Sequence, residues 1–133
     1  MSTRFPLVML VDDNELDNFI NKKLVEADSF ADATTIHTSA QSALDYLKNN
    51  AADNAQVPDL IFLDITLPGS DGLAILRTLH EKFEKLRVVM LAANTDIPKA
   101  NMALNCGASD YIAKPVDLPT IKRTLQIHLG TSH

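Results

Sequence analysis

Short apolar runs alternate with longer amphipathic stretches along the 133 residues of the chain. The apolar runs predict five strands, at residues 7–11, 34–38, 60–64, 88–92 and 110–113. Three of these runs are continuous rather than alternating, which is typical of strands covered on both faces. The pattern therefore predicts a central sheet between two layers of other elements.

Amphipathic stretches with helical spacing follow the five runs. Ser39, Asp71 and Asp117 stand where helix N-caps are expected, and Gly107 supplies a stop at the end of the fourth helix. The first predicted helix carries an apolar stripe that is expected to face the core: Leu16, Phe19, Ile20, Leu24 and Ala27.

Each helical stretch is long enough for a right-handed crossover between parallel strands. The predicted fold class is therefore α/β, with a five-stranded parallel sheet in a doubly wound sandwich. The hydrophobic fraction of 46% and the charged fraction of 22% are ordinary for a globular domain. We expect one domain over residues 1–133, with a core at about 6–129, a loose loop at 49–57 and no output domain.

Charge and cysteine content exclude several function classes. A net charge of −5 argues against nucleic-acid binding, which requires a basic face. The single cysteine, Cys106, cannot form an internal disulfide, and the four histidines lie far apart. No apolar run approaches the ~18 residues of a membrane span, and residues 1–6 do not resemble a signal peptide. The expected location is the cytoplasm.

Charged side chains follow the strands at the edge where ligands bind in open parallel sheets. Asp12 and Asp13 follow the first strand, Asp64 ends the third, and Lys114 follows the fifth. Because the first and third strands are expected to be adjacent, the three carboxylates would crowd together, and such crowding favours a bound cation. Hard oxygen ligands with an open, watery face suit Mg²⁺, and Lys114 would help to hold an anionic phosphoryl group.

One of these carboxylates is also a candidate nucleophile. Attack of a carboxylate on phosphorus gives an acyl phosphate, and a divalent cation neutralises the charge that develops. Asp64 is the best placed, because it ends the apolar run 60–63 and a rigid central strand would aim it.

With these residues the chain resembles the receiver domain of two-component response regulators, the CheY-like family. The resemblance covers about residues 6–129 and is carried by four segments in order: VMLVDDN at 8–14, PDLIFLDITLPGSDG at 58–72, VVMLAA at 88–93 and GASDYIAKP at 107–115. It implies a flavodoxin-like fold with strand order 2-1-3-4-5.

The resemblance also implies roles for individual residues. Asp64 corresponds to the phosphoacceptor, and Lys114 to the lysine that pairs with the phosphoryl oxygens. Asp13 matches the direct Mg²⁺ ligand, Asp12 the neighbour that acts largely through water, and the backbone carbonyl of Thr66 completes the metal set. The domain would not be an enzyme, apart from catalysing its own phosphorylation and dephosphorylation.

Three further positions concern switching. Tyr111 matches the aromatic switch position, and Pro115 follows a peptide bond that is usually cis in the family. Ala92 departs from the family, which has Ser or Thr at the end of the fourth strand to bond the phosphoryl group. The missing hydroxyl predicts weaker coupling between phosphate and conformation, by about 1.5–3 kcal/mol.

The resemblance implies a stand-alone phosphoacceptor that receives its phosphoryl group from a sensor histidine kinase or a histidine phosphotransfer protein and signals by protein–protein contact. The alternative is a non-switching pseudo-receiver, for which Ala92 is the support. A true enzyme or cofactor binder is disfavoured. An aspartyl phosphatase would have a carboxylate where Thr66 stands, and a flavodoxin would have a phosphate loop in place of the acidic residues 12–15.

Overall fold

Five parallel strands form the centre of the molecule. The computed structural model describes residues 5–27, 31–52, 57–67, 72–83, 86–114 and 116–130. The strands are β1 Phe5–Val11, β2 Ala31–His37, β3 Leu60–Asp64, β4 Arg87–Ala92 and β5 Asp110–Ala113. The helices are α1 Glu15–Ala27, α2 Ala40–Asn50, α3 Gly72–Lys82, α4 Ile97–Asn105 and α5 Leu118–Gly130, and a short 3₁₀ turn at Asn94–Asp96 precedes α4.

The strand order is β2-β1-β3-β4-β5, and all neighbouring pairs are parallel. The predicted fold class and strand order are therefore confirmed. The register places Val11 opposite Leu63 and Ala92 opposite Ala113. The carboxyl ends of the strands consequently share one edge of the sheet, where the loops that follow them meet.

Apolar side chains pack on both faces of the sheet, as the continuous apolar runs predicted. One core includes Met9, Ile61 and Met90 together with buried residues of α2, α3 and α4. The other core includes Leu10, Phe62 and Leu91 together with buried residues of α1 and α5. Helices on both faces are what the crossover connections of a parallel sheet require. None of the helices in the described ranges combines the length and the apolar character that a bilayer crossing requires.

Some element boundaries differ from the sequence prediction. Strand β2 begins at Ala31 rather than at residue 34, because its backbone pairing with β1 starts there, although the side chains of Asp32 and Ala33 are exposed. Helix α2 extends to Asn50, inside the predicted loop 49–57, of which residues 53–56 lie outside the described residues.

The predicted burial of α1 is wrong at its N-terminal end. Leu16, Phe19 and Ile20 are 64%, 55% and 41% exposed, whereas Asn18 and Asn21 are buried. The amide group of Asn18 donates hydrogen bonds to the backbone oxygens of Asp12 (2.8 Å) and His37 (3.4 Å). These bonds turn the polar side of the helix towards the strand ends and leave an apolar row in solvent.

Three of the predicted helix boundaries have the expected geometry. The Ser39 hydroxyl accepts a hydrogen bond from the Ser42 amide, and the Asp117 carboxylate accepts one from the Thr120 amide. Gly107 has a φ of 115°, the conformation that favours glycine after a helix. Asp71 lies outside the described residues.

Gly72 lies in close contact with the backbone that follows β3. It begins α3, and a Cβ atom there would lie 2.6 Å from the backbone oxygen of Ile65, closer than real Cβ contacts. The loop that follows β3 can therefore pack against the start of α3 only where there is no side chain.

His37 ends β2 with a buried imidazole ring. Its Nδ1 lies 2.7 Å from the Ser42 hydroxyl, its Nε2 lies 3.0 Å from the Thr35 hydroxyl, and the ring packs against Tyr46 at 5.2 Å between centroids. Burial lowers the pKa of His37 below its usual range, so the folded state favours the neutral ring.

This burial predicts a loss of stability in mild acid. The pKa of His37 is lower in the folded protein than in the unfolded chain, so the unfolded chain binds more protons below the ordinary histidine pKa of about 6.5. The free energy of unfolding should therefore fall as pH decreases through that range. Urea titrations at several pH values measure how steeply the free energy of unfolding depends on pH. His37→Gln should make this dependence weaker, whereas Thr35→Val should lower the free energy of unfolding but leave its pH dependence unchanged. An unchanged pH dependence in His37→Gln would contradict the assignment.

Candidate functional site

Asp12 is a buried carboxylate directly after β1, only 1% exposed. Its amide donates to the His37 backbone oxygen at 3.1 Å, which ties the loop to β2. Its Oδ1 accepts a hydrogen bond from the Asn14 amide at 3.0 Å. The next residue, Asp13, is exposed. The loop thus places one carboxylate inside the protein and one at the surface.

Asp64 is buried at the end of β3, where the strand aims it as predicted. Its Oδ1 accepts two hydrogen bonds from Thr66, one from the amide at 3.1 Å and one from the hydroxyl at 3.2 Å. The Thr66 hydroxyl was not anticipated, because the resemblance assigned only a backbone carbonyl to this residue.

Lys114 connects the two buried carboxylates. Its backbone amide donates to the Ala92 oxygen at 2.8 Å, which fixes the loop after β5 against the end of β4. Its Nζ donates to Asp12 Oδ2 at 2.9 Å and to Asp64 Oδ2 at 3.2 Å. Asp17 Oδ2, from the first turn of α1, lies 3.7 Å from the same Nζ. The lysine therefore joins residues that are distant in sequence at one edge of the sheet.

Burial and pairing act against each other in this group. Burial raises the pKa of Asp12, and the Asn14 amide and the Lys114 ammonium oppose this effect, while the nearby charge of Asp64 adds to it. Burial alone would lower the pKa of Lys114, but its hydrogen bond to Asp12 and the charge of Asp64 outweigh that effect and raise the pKa. An ammonium is thus held firmly in its charged form beside two carboxylates.

The three carboxylates among the four predicted metal ligands lie together. One oxygen each of Asp12, Asp13 and Asp64 lies within 4.8 Å of the others. Three hard carboxylate oxygens, two of them buried and one exposed, fit a cation such as Mg²⁺ that keeps several of its waters. The donor set therefore agrees with the metal that the sequence predicted.

The switch positions are less closely joined to this group. Ala92 is fully buried at the end of β4 and offers no hydroxyl. Tyr111 is half-buried on β5 and packs against the core that α4 covers. Pro115 lies outside the described residues, so the structure does not bear on its peptide bond.

Comparison with known proteins agrees with this geometry. The family model described as the response regulator receiver domain matches residues 8–126. The chain belongs to this family.

Individual relatives support the same conclusion. The two-component response regulator ARR5 of Arabidopsis thaliana is 31% identical over 124 residues, which are 87% of this chain and 66% of the relative. The receiver domain of NtrX from Brucella abortus has a TM-score of 0.78 and 33% identity, covering 94% of this chain and 99% of that one. A CheY-like receiver domain protein from Methanospirillum hungatei, at 22% identity and a TM-score of 0.81, shares the fold.

This receiver domain corresponds to only part of the length of the curated relatives. It spans 66% of the plant regulator and 22% of the transcriptional regulator NtrC of Escherichia coli, which is 30% identical over 112 residues. The chain is thus a two-component signalling module. The activities of the longer relatives as whole proteins are not assigned to it from this similarity.

The carboxylate cluster predicts that Mg²⁺ stabilises this receiver domain. A metal that binds only the folded state raises the free energy of unfolding by about 2.7 kcal/mol when the free metal concentration is 100 times Kd. Thermal melts with and without excess Mg²⁺ should therefore differ for the wild-type protein. Asp13→Ala should remove most of the difference, because it deletes the exposed ligand while both buried carboxylates remain.

A matched control for this measurement is Glu15→Gln, which removes an exposed carboxylate two residues away and outside the cluster. This variant should keep the metal response. A wild-type melting temperature that does not change in excess Mg²⁺ would contradict the metal site.

Proposed function

We propose that this receiver domain accepts a phosphoryl group on Asp64 from a sensor histidine kinase or a histidine phosphotransfer protein, and that phosphorylation alters its contacts with a protein partner. In this proposal, the single domain of residues 1–133 both accepts the phosphoryl group and contacts the partner. One observation carries the proposal: the Asp64 carboxylate lies 3.2 Å from the Lys114 ammonium and in one cluster with the carboxylates of Asp12 and Asp13.

The proposed reaction is a displacement at phosphorus. An oxygen of Asp64 forms a bond to phosphorus, the bond between phosphorus and the donor imidazole nitrogen breaks, and the imidazole keeps the electron pair. The Lys114 ammonium, already in hydrogen-bond contact with Asp64, faces the negative charge of the phosphoryl oxygens. Mg²⁺ held by Asp12, Asp13, Asp64 and the backbone carbonyl of Thr66 would supply further neutralising charge.

The surface beside this site supports docking of a protein donor. Helix α1 exposes the apolar residues Leu16, Phe19 and Ile20, a row that no core contact explains. Ile20 also lines a cavity of about 310 Å³ whose other walls include Asp17 and Lys114. An exposed apolar row that continues into the reactive site is the kind of surface that protein partners use. We propose that the phosphodonor protein contacts this face of α1.

The identity of the phosphoacceptor gives a direct test. Incubation with acetyl phosphate and Mg²⁺ should add one phosphoryl group, visible as a single mass increment in the intact protein. Asp64→Asn should abolish the increment, because an amide is not a nucleophile. The matched control is Asp59→Asn at the opposite end of β3, where Asn keeps the acceptor for the Leu7 amide. Labelling of Asp64→Asn at the wild-type level would refute the assignment.

Ala92 leaves open a second function, that of an interaction module in which phosphate does not switch the conformation. The support for this alternative is that a fully buried alanine ends β4, where the family has a hydroxyl. The intact group of Asp12, Asp13, Asp64 and Lys114 favours phosphorylation, so the two functions differ in the conformational response to phosphate rather than in the transfer itself.

Ala92→Thr should strengthen the response to phosphate. A hydrogen bond to a charged group contributes about 1.5–3 kcal/mol, so its restoration should shift a two-state equilibrium about 10- to 150-fold. Amide NMR shifts induced by beryllofluoride and Mg²⁺ should reach Tyr111 and α4 in this variant and only modestly in wild type. Ala92→Val, which adds a similar volume without a hydroxyl, is the control. Equal responses in the Thr and Val variants would show that the hydroxyl is not the missing element.

A further inference from the structure

Asp17 is a third carboxylate partner of Lys114 and lies outside the set that the family resemblance identified. Its Oδ2 is 3.7 Å from Lys114 Nζ, against 2.9 Å for Asp12 and 3.2 Å for Asp64. Its backbone is fixed at the start of α1, because its amide donates to the Asn14 side chain at 3.1 Å. The Asp17 side chain is 40% exposed, so it lies at the rim of the site rather than inside it.

With Asp17 included, the negative charge of the site exceeds the positive charge that is available to balance it. The carboxylates of Asp12, Asp13 and Asp64 lie close enough together to share a cation, and Asp17 is not one of this group. A divalent cation and the Lys114 ammonium together balance those three carboxylates. The carboxylate of Asp17 is then left as a net negative charge beside the position that a phosphoryl group takes on Asp64.

We propose that Asp17 is a specificity-determining residue that slows phosphorylation by a donor in proportion to the negative charge of that donor. The inference rests on the proposed role of Asp64 as the phosphoacceptor. Asp17 and Asp64 contact the same ammonium, so an anion that approaches Asp64 beside Lys114 also approaches Asp17. Asp17 and Lys114 both line the cavity between α1 and the loop after β5. A donor that reaches Asp64 from this cavity therefore passes the negative charge of Asp17.

Two small donors of different charge isolate this effect. Acetyl phosphate is largely a dianion near neutral pH, and phosphoramidate is largely a monoanion. In each reaction an Asp64 oxygen bonds to phosphorus as the bond to the leaving group breaks, and acetate or ammonia departs with the electron pair. The repulsion from Asp17 should therefore be stronger for acetyl phosphate, while the bond-forming step at Asp64 is the same.

The measurement is the apparent second-order rate of phosphorylation in excess Mg²⁺, followed by intact mass, for wild type and Asp17→Asn. At low salt, Asp17→Asn should raise the rate with acetyl phosphate about three- to tenfold, and the rate with phosphoramidate by a smaller factor. The gain should shrink near 1 M salt, where charges are screened beyond about 3 Å. The matched control Glu15→Gln removes an exposed carboxylate from the same helical turn and should give less than half of the gain.

A second readout does not depend on phosphorylation. In the metal-free protein, the side-chain ammonium resonance of Lys114 should move in Asp17→Asn and stay in place in Glu15→Gln, because only Asp17 of these two residues contacts that ammonium within the described part of the chain. Asp17→Glu should restore the slower rate with acetyl phosphate, since it returns the charge.

Equal gains for the two donors, or an equal gain in Glu15→Gln, would overturn the role of Asp17. The same assay separates this failure from that of the proposed function. Phosphorylation of Asp64→Asn would refute the phosphoacceptor, whereas loss of labelling in Asp64→Asn together with a wild-type rate in Asp17→Asn would refute the role of Asp17 alone.

Discussion

Lys114 places one ammonium against two buried carboxylates, and the loops at the carboxyl edge of the sheet are arranged around this contact. Asp12 follows β1 and Asp64 ends β3. Because these strands are neighbours, the two buried carboxylates lie close together. Burying like charges together is costly unless a cation joins them. Lys114 supplies that cation from the loop after β5, and the hydrogen bond that its backbone amide donates to the Ala92 oxygen keeps the loop in place.

The same arrangement accounts for the reactivity that we propose for the site. One ammonium against three clustered carboxylates leaves the group negative, so it attracts a divalent cation and is stabilised by it. The ammonium that contacts Asp12 and Asp64 is also the group that, in the proposed function, faces an incoming phosphoryl group. In that proposal, the anion would take Lys114 away from its present partners and act through the loop on the end of β4, where Ala92 offers no hydroxyl.

Most of the fold follows from the hydrophobic pattern, because buried strands and helix caps depend on local residue types. The five strands, the caps at Ser39 and Asp117 and the adjacency of β1 and β3 were predictable in this way. The carboxylate cluster was predictable too, since the strand ends must share an edge. Family resemblance then supplied the roles that geometry alone does not assign.

Two features that depend on individual side-chain contacts between distant segments were not predicted. The spacing of Leu16, Phe19 and Ile20 fits a buried helix face. The hydrogen bonds that the Asn18 amide donates to backbone oxygens after β1 and at the end of β2 instead leave that face in solvent. The contact of Asp17 with Lys114 requires the exact position of the loop after β5, which no local pattern encodes.

The most direct test of the site locates the phosphoryl group itself. Borohydride reduces an aspartyl phosphate to homoserine, so reduction after treatment with acetyl phosphate and Mg²⁺ marks the acceptor, and peptide mass spectrometry reads its position. We predict homoserine at position 64 and none at positions 12, 13 or 17. Homoserine at any of those three positions in place of 64, or none in a protein that has gained the mass of a phosphoryl group, would contradict the assignment of Asp64.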